Sequence, residues 1–166
     1  LLYPVQFEGL EESPFVVCLG AAPNQQLGPA VEWAMERGLR RVTLVGSSYV
    51  YPVAANRIAR DLVVARGGEI VAEVYLPLTG GNLVQVAEEI AASKPDLVIS
   101  TVNGEANQGL MRALRAAGFN PATTPIIALS ISEAELRAWE PGLFTDVIVP
   151  ASYFRTVPHP ENHRFL

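Results

Sequence analysis

Cysteine is almost missing from this chain of 166 residues; Cys18 stands alone, so no internal disulfide can form. It sits in the apolar run PFVVCLG, which reads as a small core residue and leaves the redox compartment open. Histidine is nearly as scarce. His159 and His163 lie four apart, as metal ligands can, but Pro160 and the nearby chain end argue against a stable helix to present them, so no metal is expected. Positive charge is also thin: 12 Lys and Arg against 17 Asp and Glu give a net charge of −5 with no basic cluster, which speaks against a nucleic-acid partner. No apolar stretch reaches the length of a membrane span, so direct membrane insertion is not expected. The opening LLYPVQFEGLEESP has neither a basic segment nor an apolar core of the kind a signal peptide needs.

Catalytic and cofactor motifs are lacking as well. Gly46-Ser47 follows a hydrophobic run, but the G-x-S-x-G of a nucleophile elbow is missing. Where a dinucleotide fold would carry G-x-G-x-x-G, the chain reads GAAPNQQ, and no phosphate-binding loop occurs. The expectation is a binding module that is not an enzyme and needs no cofactor.

What the chain does have is alternation. Apolar residues make up 49% and charged residues 17%, a globular composition of a size that suits one domain with a real core. Residues 15–19 read as a buried strand, and a helix over 25–38 follows with Leu27, Ala30, Val31 and Ala34 on one face and Gly38 at its stop. Residues 41–46 form the next strand. A helix then starts around Pro52, with Ala55, Ile58, Ala59, Leu62 and Val63 facing inward. Strands over 69–78, 96–100, 124–130 and 146–154 alternate with helices over 82–93, 104–118 and 132–139. Strands apolar on both faces, interleaved with helices, predict a doubly wound parallel α/β sheet, a Rossmann-like three-layer sandwich.

Open parallel sheets bind ligands beyond the carboxyl ends of their strands. The loops there carry Ser47, Ser48, Tyr49 and Tyr51 after the second strand, Thr101, Asn103, Gly104 and Glu105 after the fourth, and Ser130, Ser132 and Glu133 after the fifth. Two large phenols one residue apart on a short loop are either packing lids on the core or face a partner that needs both an apolar wall and a hydroxyl. The plainer reading is that Ser, Thr and Asn here are helix N-caps, each contributing about 1 kcal/mol, and that Glu133 and Glu135 are first-turn charges.

The blocks YPVQFEGLEESP, GAAPNQQLGPAVEW, LVGSSYVYPVAAN, VYLPL and KPDLVISTVNGEANQGLMRALRAAG resemble type I periplasmic solute-binding proteins. The branch they resemble includes the urea transporter's binding protein and the amide-sensing regulator of aliphatic amidase operons. The resemblance implies two lobes that close on a small polar solute, of which this chain looks like the second. On that basis residues 1–12 are a hinge crossing and the tail of the first lobe, 13–152 the second lobe, and 153–166 the return crossing. It also implies ligand contacts from Tyr3, Ser47, Tyr49, Tyr51, Thr101, Asn103, Gly104, Glu105, Ser130 and Ser132. Val5 stands where the amide sensor has threonine, Ser48 where the family has aspartate, and Glu105 replaces an aspartate. The implied solute is urea, a short amide or an amino acid. The implied partner is an ABC permease, in a periplasmic or extracellular setting with a signal peptide on the parent. The alternatives are a cytoplasmic amide-sensing regulator and a receptor or sensor module for amino acids.

Overall fold

A computed structural model describes residues 1–9 and 11–166. Its centre is a four-stranded parallel sheet built from β3 (Arg41–Ser47), β4 (Glu69–Leu76), β5 (Leu97–Thr101) and β6 (Ile126–Ala128), in the order β4-β3-β5-β6. Every residue of β5 is buried, as expected of a strand covered on both faces. Helices α1 (Pro23–Glu36) and α2 (Val50–Ala65) belong with one core cluster, built on Leu27, Leu44, Ala59 and Ile99. Helices α3 (Leu83–Ala92) and α4 (Ala106–Ala116) belong with the other, built on Ile90, Val98, Leu110 and Leu114. Two apolar clusters, each contributed to by the sheet and by its own pair of helices, make the three-layer α/β sandwich that the alternation predicts.

Local chemistry sets the boundaries. Pro23 opens α1 at its first position, where a missing N–H costs nothing, and Gln25 Oε1 accepts from the Ala22 N–H at 2.8 Å. Asn82 caps α3 by accepting from the Gln85 N–H at 3.2 Å. Gly38 and Gly118, with φ of 76° and 87°, take the left-handed conformation that ends α1 and α4. Asp96 accepts from the Arg40 and Arg41 N–H groups at 3.0 and 2.9 Å, joining the entries of β3 and β5.

Several elements depart from the sequence reading. The run 15–19 is not buried: only β2 (Val17–Cys18) is strand, it pairs in parallel with β1 (Leu2–Tyr3), and this ribbon joins no other strand among the described residues. Phe15, Val17 and Leu19 are exposed, and Cys18 is half-buried rather than a core residue. An apolar run signals a strand that needs cover, but does not say whether the cover comes from this chain. The two tyrosines are not on a loop, because α2 begins at Val50 and makes Tyr49 its N-cap and Tyr51 a first-turn residue. The strand expected over 146–154 shrinks to a bridge between Ile127 and Ile148. Pro150 has no N–H for the next rung. The tail does form a helix, α6 (Pro160–Phe165), with Pro160 at its first position. A further short helix, α5 (Glu133–Ala138), follows β6.

Candidate functional site

The loops after β3, β5 and β6 meet at one edge of the sheet because those three strands are neighbours and all run the same way. Gly46 lets the first of them pack tightly: a Cβ there would stand 2.5 Å from Thr101 Oγ1 and 3.0 Å from the Pro52 ring. Beneath the surface a hydrogen-bond web fixes the loops. Ser47 Oγ, fully buried, accepts from the Asn103 N–H at 3.1 Å, and Asn103 Nδ2 donates to the Thr101 carbonyl at 3.0 Å. Thr101 Oγ1, also buried, donates to Asn56 Oδ1 at 2.9 Å. Ser47 and Thr101 therefore support the loops from below.

Above that web lies an open cleft of about 700 Å³ whose walls include Gln6, Gln26, Asn103, Gly104, Ser130 and Ser132. Asn103, Gly104, Ser130 and Ser132 thus come together as the sequence predicts. Tyr49 stands beside them: burial first, then the charge of Glu8, pushes its phenol up, while a side-chain hydrogen bond with Asn103 works the other way. Tyr51 is different. Its ring is 5% exposed and belongs to the core cluster of Leu27 and Leu129, and its hydroxyl has no hydrogen-bond partner. Burial, then the charges of Tyr49 and Glu8, push that phenol up to about 12. Glu105 is exposed at the start of α4 and is not among the cleft's walls. Tyr3 lies on β1 and lines a separate recess of about 230 Å³ with Phe7, Glu8 and Cys18.

Among the described residues, four buried side-chain polar atoms lack a partner: Tyr51 Oη, Asn56 Nδ2, Asn107 Oδ1 and Ser130 Oγ. All belong to α2, to α4 or to the loop after β6, the segments that start where β3, β5 and β6 end. Buried polar groups are ordinarily paired, so a cluster of unpaired ones at one edge marks a place built to meet water or a ligand.

Several charged groups at this edge are bonded within the chain. Glu133 accepts from the Arg155 N–H at 2.8 Å and from Thr156 Oγ1 at 3.0 Å, bonds that hold its carboxyl below the usual carboxylate range. Arg137, the one cation on the cleft wall among the described residues, donates to the Glu133 carbonyl at 3.2 Å. Ser132 and Glu135 form a reciprocal cap on α5, with Glu135 Oε2 accepting from the Ser132 N–H at 2.8 Å and Ser132 Oγ from the Glu135 N–H at 3.3 Å. His159 caps α6, and no group of three His, Cys, Asp or Glu among the described residues is placed to hold a metal.

Sequence reasoning missed Gln6 and Gln26. Gln26 is 6% exposed, and its position four and eight residues before Ala30 and Ala34 on the inward stripe of α1 was the available signal. Gln6 has no comparable signature.

A doubly wound sheet with a polar cleft at the carboxyl ends of its strands defines a ligand-binding α/β lobe. The family model described as "Periplasmic binding protein domain" matches residues 1–166, and the chain belongs to that family, in its type I form. A solute-binding protein of an ABC transporter from R. palustris, solved with 4-hydroxybenzoate, shares 21% identity at a TM-score of 0.80, over 92% of this chain and 42% of its own. A branched-chain amino acid ABC transporter periplasmic ligand-binding protein from Burkholderia xenovorans LB400 shares 19% identity at a TM-score of 0.79, over 87% of this chain and 38% of its own. A putative branched-chain amino acid ABC transporter protein from Rhodospirillum rubrum shares 19% identity at a TM-score of 0.71, over 89% of this chain and 42% of its own. The chain thus spans about two fifths of the length of these proteins, and at such identities the likeness is one of fold.

Proposed function

We propose that this chain is one lobe of an ABC-transporter solute-binding protein that takes urea, a short amide or a similar small neutral solute. The observation that carries the reading is the mismatch between the cleft's neutral and ionic groups. Asn103, Ser130, Gln6 and the neighbouring Tyr49 phenol offer neutral donors and acceptors. Glu133 is bonded to the 155–156 backbone and hydroxyl, and Arg137 spends its Nε–H on a carbonyl and faces solvent. An amino acid needs a counter-charge for each of its two ionised ends, and a carboxylate ligand needs at least a free cation or open helix terminus. Here Glu105 lies outside the cleft and the α5 terminus carries its own Glu135, while α2 and α4 begin at this edge without a side-chain cap and offer N–H groups that a neutral carbonyl also fits. A flat neutral plate rich in N–H and C=O matches what remains.

The mechanism in this reading is closure, with the solute bridging two lobes and shifting an open–closed equilibrium. Residues 1–12 and 153–166 cross towards the other lobe and 13–152 form this one, with the β1–β2 ribbon on the side of the crossings. Tyr3 reaches the solute from the other lobe's side, and Tyr49, Asn103, Gly104, Ser130 and Ser132 from this one. Tyr51 and Glu105 join only if closure brings them to the solute, while Ser47 and Thr101 hold the loops. The whole protein works at an ABC permease in the periplasm or outside the cell. Small-angle scattering on the whole protein tests this: saturating urea or acetamide shrinks the radius of gyration. An unchanged radius with every neutral amide, together with contraction by a charged solute, defeats the proposal.

A further inference from the structure

Three stretches of backbone meet at the rear of the cleft: residues 4–6 leaving β1, 19–22 between β2 and α1, and 149–152 after the Ile148 bridge. Their approach is close, since a Cβ on Gly20 would overlap the Val5 carbonyl. One buried side chain on α1, the helix that 19–22 leads into, bonds to the other two. Gln26, in the first turn of α1, donates through Nε2 to the Pro150 carbonyl at 2.8 Å and accepts through Oε1 from Gln6 Nε2 at 2.5 Å. These bonds span 20 and 124 residues of sequence.

The Pro150 carbonyl sets the direction of the whole relay. A carbonyl can only accept, so the Gln26 amide must present its nitrogen there and its oxygen to Gln6. Gln6 must in turn present its own nitrogen to Gln26. The Gln6 oxygen is therefore left over as an acceptor, together with the second N–H of the same amide, on a half-buried residue of the cleft wall.

We infer that Gln6 is a ligand-reading acceptor and that Gln26 is the positioning residue that aims it and ties it to the three converging segments. The site then favours, at that wall, a group that donates N–H to the Gln6 oxygen and can also accept from its N–H, such as a primary carboxamide or ureido group, over one that has no N–H. This rests on the reading of the cleft as a solute site. A donor held by Gln6 pulls on all three segments through Gln26, which couples occupancy to the geometry at the rear of the cleft.

Two experiments separate the relay from the ligand. The first needs no ligand and uses the whole protein, with its native cysteines, Cys18 included, replaced by Ser and spin labels at Val17→Cys on β2 and Arg57→Cys on α2. Wild-type Gln26 gives one narrow distance distribution by pulsed electron spin spectroscopy. Gln26→Met, close in length but without polar atoms, broadens it. Gln6→Met, at a more exposed position, broadens it less and serves where Gln26→Met fails to fold. A distribution unchanged in both variants overturns the positioning role.

The second experiment uses the whole protein with acetamide and N,N-dimethylacetamide, which has no N–H. Gln6→Met weakens acetamide about tenfold, the equivalent of one hydrogen bond, and weakens N,N-dimethylacetamide, which can give nothing to the Gln6 oxygen, clearly less. Equal acetamide affinity in wild type and Gln6→Met overturns the ligand-reading role. A wild type that binds neither acetamide nor urea overturns that role together with the proposed solute class, and the spin labels still decide the relay.

Discussion

Tyr51 offers the sharpest physical test, because the structure assigns its ring and its hydroxyl opposite energetic roles. The ring is 5% exposed in a packed cluster. Truncation to Ala removes that packing and costs about 3–5 kcal/mol. In a chain of 166 residues each kcal/mol moves the melting temperature by about 2–4 °C, so the loss is roughly 6–20 °C. The hydroxyl, by contrast, is buried without a partner. A buried polar group left unpaired costs about 1–3 kcal/mol, so Tyr51→Phe stabilises the chain, by about 1 kcal/mol. The same burial holds the phenol at about 12, against about 10 for a free tyrosine. Between those values the unfolded chain has lost the proton and the folded chain keeps it. Stability is thus full below pH ~10 and falls by about 2–3 kcal/mol as the pH climbs to ~12, a loss absent from Tyr51→Phe. Urea melts of both variants at neutral and alkaline pH read all three effects. Destabilisation by Tyr51→Phe of more than about 1 kcal/mol would show that the hydroxyl is paired, to an ordered water for instance, and would sink the reasoning.

Other positions give independent checks. Leu114, 1% exposed in the α3–α4 cluster, loses about 2–5 kcal/mol on truncation to Ala, readable by urea melts with no change in solute affinity. Gly46→Ala forces a methyl against Thr101 and Pro52 and costs about 1–3 kcal/mol; a neutral result would mean that the loop relaxes freely. Asn103→Ala frees Tyr49 of its amide neighbour and weakens the solute in the whole protein, whereas wild-type affinity in titration calorimetry would remove that loop from the site.

The four helices flanking the sheet are legible because each carries a 3.6-residue apolar stripe and a local stop, as with Leu110, Ala113 and Leu114 ahead of Gly118. β3, β4 and β5 are legible because they are long and apolar. The misreadings come from information that local pattern does not hold. Residues 15–19 have the composition of a core strand, yet nothing within the run specifies what covers it. The 146–154 strand is cut short by Pro150, whose missing N–H outweighs the apolar composition. Tyr49 and Tyr51 read as loop residues because the start of a helix without a Ser, Thr, Asn or Asp cap carries no marker. At the cleft, Asn103, Gly104, Ser130 and Ser132 follow directly from strand ends in a parallel sheet. Gln26 does not, since bonds to residues 20 before and 124 after it exist only once the chain has folded.

Titration calorimetry on the whole protein with urea, acetamide, leucine and 4-hydroxybenzoate decides whether the cleft takes a small neutral plate. Urea or acetamide binds saturably, and neither of the two charged solutes binds. Binding of leucine or 4-hydroxybenzoate alone would contradict it, and would mean that the ionic groups tied up at this edge are released, or supplied from elsewhere, when the cleft is filled.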